Sequence, residues 1–444
     1  MAQLTTLDAA FLKADPDRNA SLALGAVAVV NGAVPDYDLL KAVLAERIQA
    51  IPRCTQVLRT DWVDHPEFDI THHVRRLALP QPGDDAELFG VVAHALERPL
   101  DLDRPPWECW VIEGLQDDQW AILLKIHHCL ADDISAAQLL ARLCDDADTG
   151  TFANHVGVQP ISSKPQSNWT DALWRTATSA LAGAIWPAAR TAQQSPVTMR
   201  RYRTVRIPRA AVDGVCRKFG VSANDVALAA ITEGFRTVLL HRGEQPRADS
   251  LRTLEKTDNR VSALLPYLPV EHEDPVQRLR VVHKRLNRTT QSDRRQAPSL
   301  LDLATNYTPF ALCAKAIQAL TRLPQQGIVT LATNAPGPRG RLRLMGQWLE
   351  QLLPIPPTAQ RLSTGVAVLS YGDELVFGIT ADYDAARDME RLASGIELGM
   401  ARLTALSDDS VLLFSRDRRK RSARAAASGA HRRRPPAPPA RARH

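Results

Sequence analysis

Apolar positions along the chain change their period several times, and each change marks an element. A β-prone run from Ser21 to Val30 ends at the turn pair Asn31-Gly32. Beyond it Leu39, Leu40, Val43, Leu44 and Ile48 recur at the spacing of one helix face until Pro52 closes the segment. Asp85 to Arg98 repeats that behaviour through Leu88, Val92, Ala95 and Leu96. Trp107 to Gly114 and Gln119 to His128 then read as two strands joined by the polar turn Gln116-Asp117-Asp118. In the second of these, Trp120, Ile122, Leu124, Ile126 and His128 share one face, and Ala121, Leu123, Lys125 and His127 share the other. A helical pattern from Ile134 to Cys144 follows, headed by Asp132 and Asp133, whose charge and oxygens suit the unpaired amides of a helix start.

Between about Asp145 and Thr204 the composition shifts to Pro, Ser, Gln and Asn, which marks a connection. Inside it Trp169, Leu173, Ala177, Ala180, Leu181, Ala184 and Ile185 form one helical stripe, read as a packing helix because its polar face is not basic. The second half opens near Tyr202. It contains a helix from Asn224 to His241 capped by Asn224 or Asp225, and a hairpin of Gly365 to Tyr371 and Leu375 to Asp382 around Gly372-Asp373-Glu374. A closing helix carries Met389, Leu392, Ile396, Met400 and Leu403. The division is therefore residues 1–145, a connecting segment 146–204, a second half 205–412, and a tail 413–444 whose Arg, Ala and Pro content has nothing to bury and reads as disordered.

Composition agrees with a globular protein: 444 residues, 45% hydrophobic and 23% charged, exclude a mostly disordered chain. No apolar run reaches the ~18 residues of a spanning helix, and residues 1–18 lack a basic stretch followed by an apolar core. The expectation is a cytoplasmic protein, with peripheral attachment to a membrane or lipid inclusion as the alternative. Net charge is +6, yet from Arg416 onward ten Arg and one Lys face one Asp, so the body is mildly acidic and the basic character belongs to the tail. Such a tail is a solvated extension or an attraction for anionic lipid; a nucleic-acid contact through it is a third reading. Six scattered cysteines with no CxxC pair argue against a disulfide scaffold and a zinc ribbon.

The densest chemistry is His127-His128-Cys129-Leu130-Ala131-Asp132-Asp133, where a strand ends and a helix begins. An imidazole with a pKa of about 6.5 can take a proton from a hydroxyl near neutral pH, with its second nitrogen held by a carbonyl or carboxylate. His128 suits that role, and Asp132 could turn back to fix the local geometry. A metal site is the rival, weakened because neighbouring strand residues point to opposite faces. The plain alternative is a pair of hydrogen-bonded core histidines, the reading given to His72-His73.

The motif His127-His128-x-x-x-Asp132 resembles the HHxxxDG signature of the CoA-dependent acyltransferase superfamily. Leu7-Asp8-Ala9-Ala10-Phe11-Leu12, Pro99 to Glu108 (PLDLDRPPWE), Asn224-Asp225-Val226, Asn259-Arg260-Val261-Ser262 and Asn334-Ala335-Pro336-Gly337-Pro338 follow in the order seen in bacterial wax ester synthase/diacylglycerol acyltransferases. This resemblance spans roughly Leu4 to Leu406. It implies a mixed α/β fold of two chloramphenicol-acetyltransferase-like halves with a central tunnel. It also implies acyl-CoA as co-substrate, no bound cofactor or metal, and diacylglycerol or a long-chain alcohol as acceptor. In this reading His128 is the general base of a direct transfer, His127 supports it and Asp132 is structural. No acyl-enzyme is needed, so Cys129 is structural too. Two departures stand out: Asp133 occupies the place of the family's glycine, and Asp249 to Asn259 is short. The first supplies the second reading, a lipid- or acyl-CoA-binding member of the fold with chemistry impaired through Asp133; the second bears on what the second half contributes to the pocket.

Overall fold

A computed structural model of the chain describes residues 23–51, 53–59, 62–127, 130, 135–146, 200–247, 252–257, 260–262, 268–293, 328–335, 337–338, 340–356, 364–382 and 385–408. The stripe at 169–185 and the tail beyond 408 lie outside them.

Two six-stranded sheets carry the described residues. The first is built around β1 (Ala23–Asn31), β5 (Trp107–Leu115) and β6 (Gln119–His127), with β4 (Val74–Ala78) parallel to β5 at one edge. Short β2 (Gln56–Leu58) and β3 (Trp62–Asp64) form a separate ribbon. Each helix of this half starts where a side-chain oxygen meets an orphan amide. Asp36 accepts from Leu39 N before α1 (Tyr37–Gln49), Asp84 from Ala86 N and Glu87 N before α2 (Asp85–Glu97), and Ser135 makes a capping box before α3 (Ala136–Arg142). The β5–β6 turn places Asp117 and Asp118 at φ 59° and 53°, the left-handed conformation that twists a tight hairpin correctly.

Strand β6 is buried on both faces. Trp120, Ile122, Leu124 and Ile126 join a core with α1 and α3, whereas Ala121 and Leu123 pack with Leu88, Val92, Ala95 and Leu96 of α2. The two-residue period thus separates two cores rather than core from solvent.

The second sheet runs β7 (Arg200–Pro208), β14 (Glu374–Asp382), β13 (Thr364–Tyr371), β10 (Ile328–Ala335), β8 (Arg252–Thr257) and β9 (Arg260–Ser262). One of its faces packs on α4 (Arg209–Phe219), α5 (Ala223–His241), α6 (Pro275–Asp293) and α7 (Ala386–Asp408). The N-cap of α5 is Ser222, not Asn224 or Asp225. Ser222 Oγ accepts from Asp225 N, and Asp225 sits one turn inside as the return arm of a capping box. Arg278 is 1% exposed and ion-paired with buried Glu233, which also takes Arg402 at 3.1 Å.

A strap joins the halves. Strand β12 (Gln347–Ile355), preceded by β11 (Arg343–Leu344), leaves the second half and pairs antiparallel with β1 in the first sheet. Tyr371 Oη donates to Leu349 O at 2.8 Å and accepts from Leu342 N at 3.1 Å, while Tyr202 Oη donates to Pro354 O at 2.9 Å. Gly378 lets the strap pass: a Cβ there would lie 1.7 Å from Pro354 O. A second seam runs along α2, where Asp85 meets Arg206, Glu97 Oε1 accepts from Arg200 N, and Phe89 meets Tyr202 edge-on.

Candidate active site

The site is built around the end of β6. Ala23 of β1 pairs with His127, whose backbone N–H donates to Pro106 O at 2.9 Å. The imidazole of His127 is 5% exposed and lies on the face of Ala121, Leu123 and Lys125, as the period requires. His128, Cys129, Asp132 and Asp133 lie outside the described residues, so the roles assigned to His128 and Asp132 stay expectations. Leu130, between them, is buried in the α1/α3 core, and Ser135 reopens the chain into α3.

The segment between α2 and β5 is held from several sides. Arg104 meets Asp101 at 3.5 Å, Asp103 N donates to Asp101 Oδ1, and Arg59 reaches Asp103 at 3.0 Å. Pro105, Pro106 and Trp107 are buried. Trp107 Nε1 donates to Cys54 O at 2.7 Å, and its ring stacks on His73 with centroids 4.5 Å apart. A carbonyl only accepts, so the contact of His73 Nδ1 with Trp107 O at 2.9 Å places the ring proton on Nδ1. Burial pushes the His73 pKa down, and the Trp107 bond opposes it only in part. His73 is thus the packed core histidine that its sequence context suggests. Its neighbour His72 is exposed at the end of the short turn Ile70–His72.

Lys125 was not singled out by sequence reasoning, although a lone charge between Leu124 and Ile126 is a visible signal. It is fully buried, donating through Nζ to Ala95 O at 2.8 Å and to Arg98 O, the last carbonyls of α2 and its cap. A cation there complements the negative end of the helix. Burial lowers its pKa to about 8, with Glu108 opposing the drop and Arg98, Arg75 and Arg200 adding to it.

The second-half motifs gather elsewhere. Asp225 Oδ2 accepts from Ser222 N at 2.8 Å and from His283 Nδ1 at 2.9 Å, an imidazole contact no local pattern announced. Arg260–Ser262 form edge strand β9, and Asn334 and Ala335 close β10. Gly337 matters by close approach: a Cβ there would lie 1.5 Å from Ser370 O. A hollow of about 560 Å³ is lined by Glu271 to Pro275, Gln277 and Arg402, none of them from the first sheet.

Burial drives the thiols of Cys54, Cys109 and Cys144 up to about 12, which keeps them protonated and poor nucleophiles. Among the described residues no three His, Cys, Asp or Glu side chains gather as a metal site, and no helix is long and apolar enough to cross a membrane.

Two sheet-and-helix halves, with a strand of the second paired into the sheet of the first, form a mixed α/β fold in which a histidine stands at a strand end. Comparison with known proteins narrows this. The wax ester synthase/diacylglycerol acyltransferase catalytic domain matches residues 4–195 and the corresponding C-terminal domain matches residues 257–404. The chain belongs to the wax ester synthase/diacylglycerol acyltransferase family, and it is an acyltransferase. It is 67% identical to a putative diacylglycerol O-acyltransferase of Mycobacterium tuberculosis, with all of both chains covered. It is 47% identical to a probable diacylglycerol O-acyltransferase of that organism, over 92% of this chain and 96% of the other. In fold it resembles the wax ester synthase/diacylglycerol acyltransferase of Marinobacter aquaeolei VT8, at TM-score 0.63 and 22% identity over 91% of this chain and all of that one. It also resembles the first condensation domain of the calcium-dependent antibiotic synthetase, at TM-score 0.56 and 13% identity over 93% and 99%.

Proposed function

We propose that this protein moves a long-chain acyl group from CoA to the free hydroxyl of diacylglycerol, with a long-chain alcohol as the alternative acceptor. His128 is the base in this reading. Its imidazole takes the hydroxyl proton as the oxygen attacks the thioester carbonyl. The C–S bond then breaks, and the departing CoA sulfur receives that proton from the imidazolium. The acceptor attacks directly, so no serine or cysteine nucleophile enters. Its water-insoluble acceptor suits a protein working at the surface of a membrane or lipid inclusion.

The observation that carries the reading is the catalytic-domain match over residues 4–195, which spans the histidine motif. The second support is the named activity of relatives sharing 67% and 47% of their residues with this chain. The fastening of His127 N to Pro106 O adds a local reason: it gives the residue after it a fixed starting point. An acceptor panel tests the choice of substrate. With one long-chain acyl-CoA, CoA release is followed in the presence of diacylglycerol, a long-chain alcohol, a monoacylglycerol and a short alcohol. Release above the acceptor-free rate with diacylglycerol supports the proposal. Release with none of them rejects it.

A further inference from the structure

The 98–107 segment is tied to the histidine-bearing strand at both of its ends. At Arg98 its carbonyl receives the Lys125 ammonium; at Pro106 its carbonyl receives the His127 amide. Lys125 and His127 are one pleat apart on the same face of β6. The segment between these ties is stiffened by Pro105 and Pro106, by the Asp101–Arg104 pair, and by Trp107 anchored to Cys54 O and stacked on His73. The result is a closed ring of covalent chain and two hydrogen bonds whose last strand residue is His127.

We propose that Lys125 is a positioning residue: by fastening the cap of α2 to β6, its ammonium fixes the strand end from which the motif histidine is presented to substrate. The inference rests on the reading of His128 as the base. Alignment of a base within a fraction of an ångström is worth orders of magnitude in rate, and Lys125, fully buried, is closed to direct contact with substrate, so the loss falls on kcat.

The charged neighbours of Lys125 define its pH response. Glu108 of β5 favours the ammonium; Arg98 after α2, Arg75 of β4 and Arg200 of β7 oppose it. Glu108 is itself shared with Arg75 at 3.0 Å and Trp110 Nε1 at 3.3 Å. With burial added, deprotonation near pH 8 removes the charge that strengthens both carbonyl bonds. Stability responds in the opposite sense. A lysine whose folded pKa lies below its ordinary 10.5 loses its proton first in the native state. Between those two values the unfolded chain holds more protons, and this group's contribution to stability rises with pH.

The test is the purified full chain, wild type and Lys125→Met, with kcat, both KM values and the thermal midpoint followed from pH 6.5 to 9.5. The wild type should lose kcat through an alkaline limb near pH 8 while its midpoint gains on that of the variant. Lys125→Met should have kcat about tenfold lower at pH 7, KM values within about threefold, and no limb near pH 8. An active wild type whose limb is absent, or is shared unchanged by Lys125→Met, overturns the inference while leaving the acyltransfer reading intact. So does a variant with wild-type kcat. A wild type inert toward every acceptor rejects the acyltransfer reading itself, and the inference with it. If Lys125→Met fails to fold, Lys125→Arg takes its place: its guanidinium keeps the charge through pH 9.5, so it should lack the wild-type alkaline limb, and a limb shared unchanged overturns the inference.

Discussion

Replacing Gly378 with Ala tests the strap that joins the two halves. The added Cβ would sit 1.7 Å from Pro354 O, where a carbon and an oxygen ordinarily stay more than 3.0 Å apart, so backbone must move. Movement on either side is resisted. Gly378 is held between Ala367 of β13 and Thr204 of β7, and Pro354 is registered opposite Ala26 of β1. Withdrawing Pro354 also breaks its bond from Tyr202 Oη, a hydroxyl buried beside it. Overpacking of this kind costs about 3 kcal/mol, and loss of the tyrosine bond about 1 kcal/mol more. Tyr202→Phe is the control: it removes only the hydroxyl, keeps the ring against Phe89, and should cost about 1 to 2 kcal/mol. Urea unfolding followed by tryptophan fluorescence measures both, with circular dichroism checking that the transitions coincide. Gly378→Ala with a midpoint equal to wild type, or less destabilised than Tyr202→Phe, would refute this account of the crossing.

Other outcomes follow from buried polar groups. His73 has a folded pKa below its ordinary 6.5, so the unfolded chain takes up a proton first as pH falls. Its contribution is complete above pH 6.5 and is lost below it, and His73→Gln should flatten the acid side of a plot of thermal midpoint against pH; an unchanged slope would assign that loss to other groups. Arg278→Met leaves Glu233 one partner, Arg402, whereas Glu233→Leu strands the buried Arg278 guanidinium on the carbonyls of His272 and Glu273. Glu233→Leu should therefore be the more destabilising, by about 3 kcal/mol or more in chemical denaturation, and the reverse order would contradict this description of the network.

Much of the first half was legible because its patterns are local. The apolar stripe Leu88, Val92, Ala95, Leu96 became α2, and the two periods of Gln119–His127 became a strand between two cores. The cap of α5 was misjudged because Ser222, Asn224 and Asp225 all carry suitable oxygens within one turn, and only the backbone shows that Ser222 precedes the helix. Strand β12 was not legible. Its residues can pair with any exposed edge, and the choice of β1 depends on strands more than three hundred positions away in the chain. Lys125 was overlooked for a related reason: its partners are carbonyls, which every residue has, so no side-chain pattern points to them. The motif residues Asp225 and Gly337 were found by resemblance, but their neighbours Ser222 and Ser370 give them structural duties in capping and close packing.

The most direct measurement is ester formation by His128→Ala beside wild type, with the same long-chain acyl-CoA and diacylglycerol, after circular dichroism has shown equal folded content. The account predicts triacylglycerol from the wild type and a rate lower by about a hundredfold or more in the variant. His127→Ala should keep a larger share of the activity. Undiminished ester formation by His128→Ala would contradict the assignment of the base.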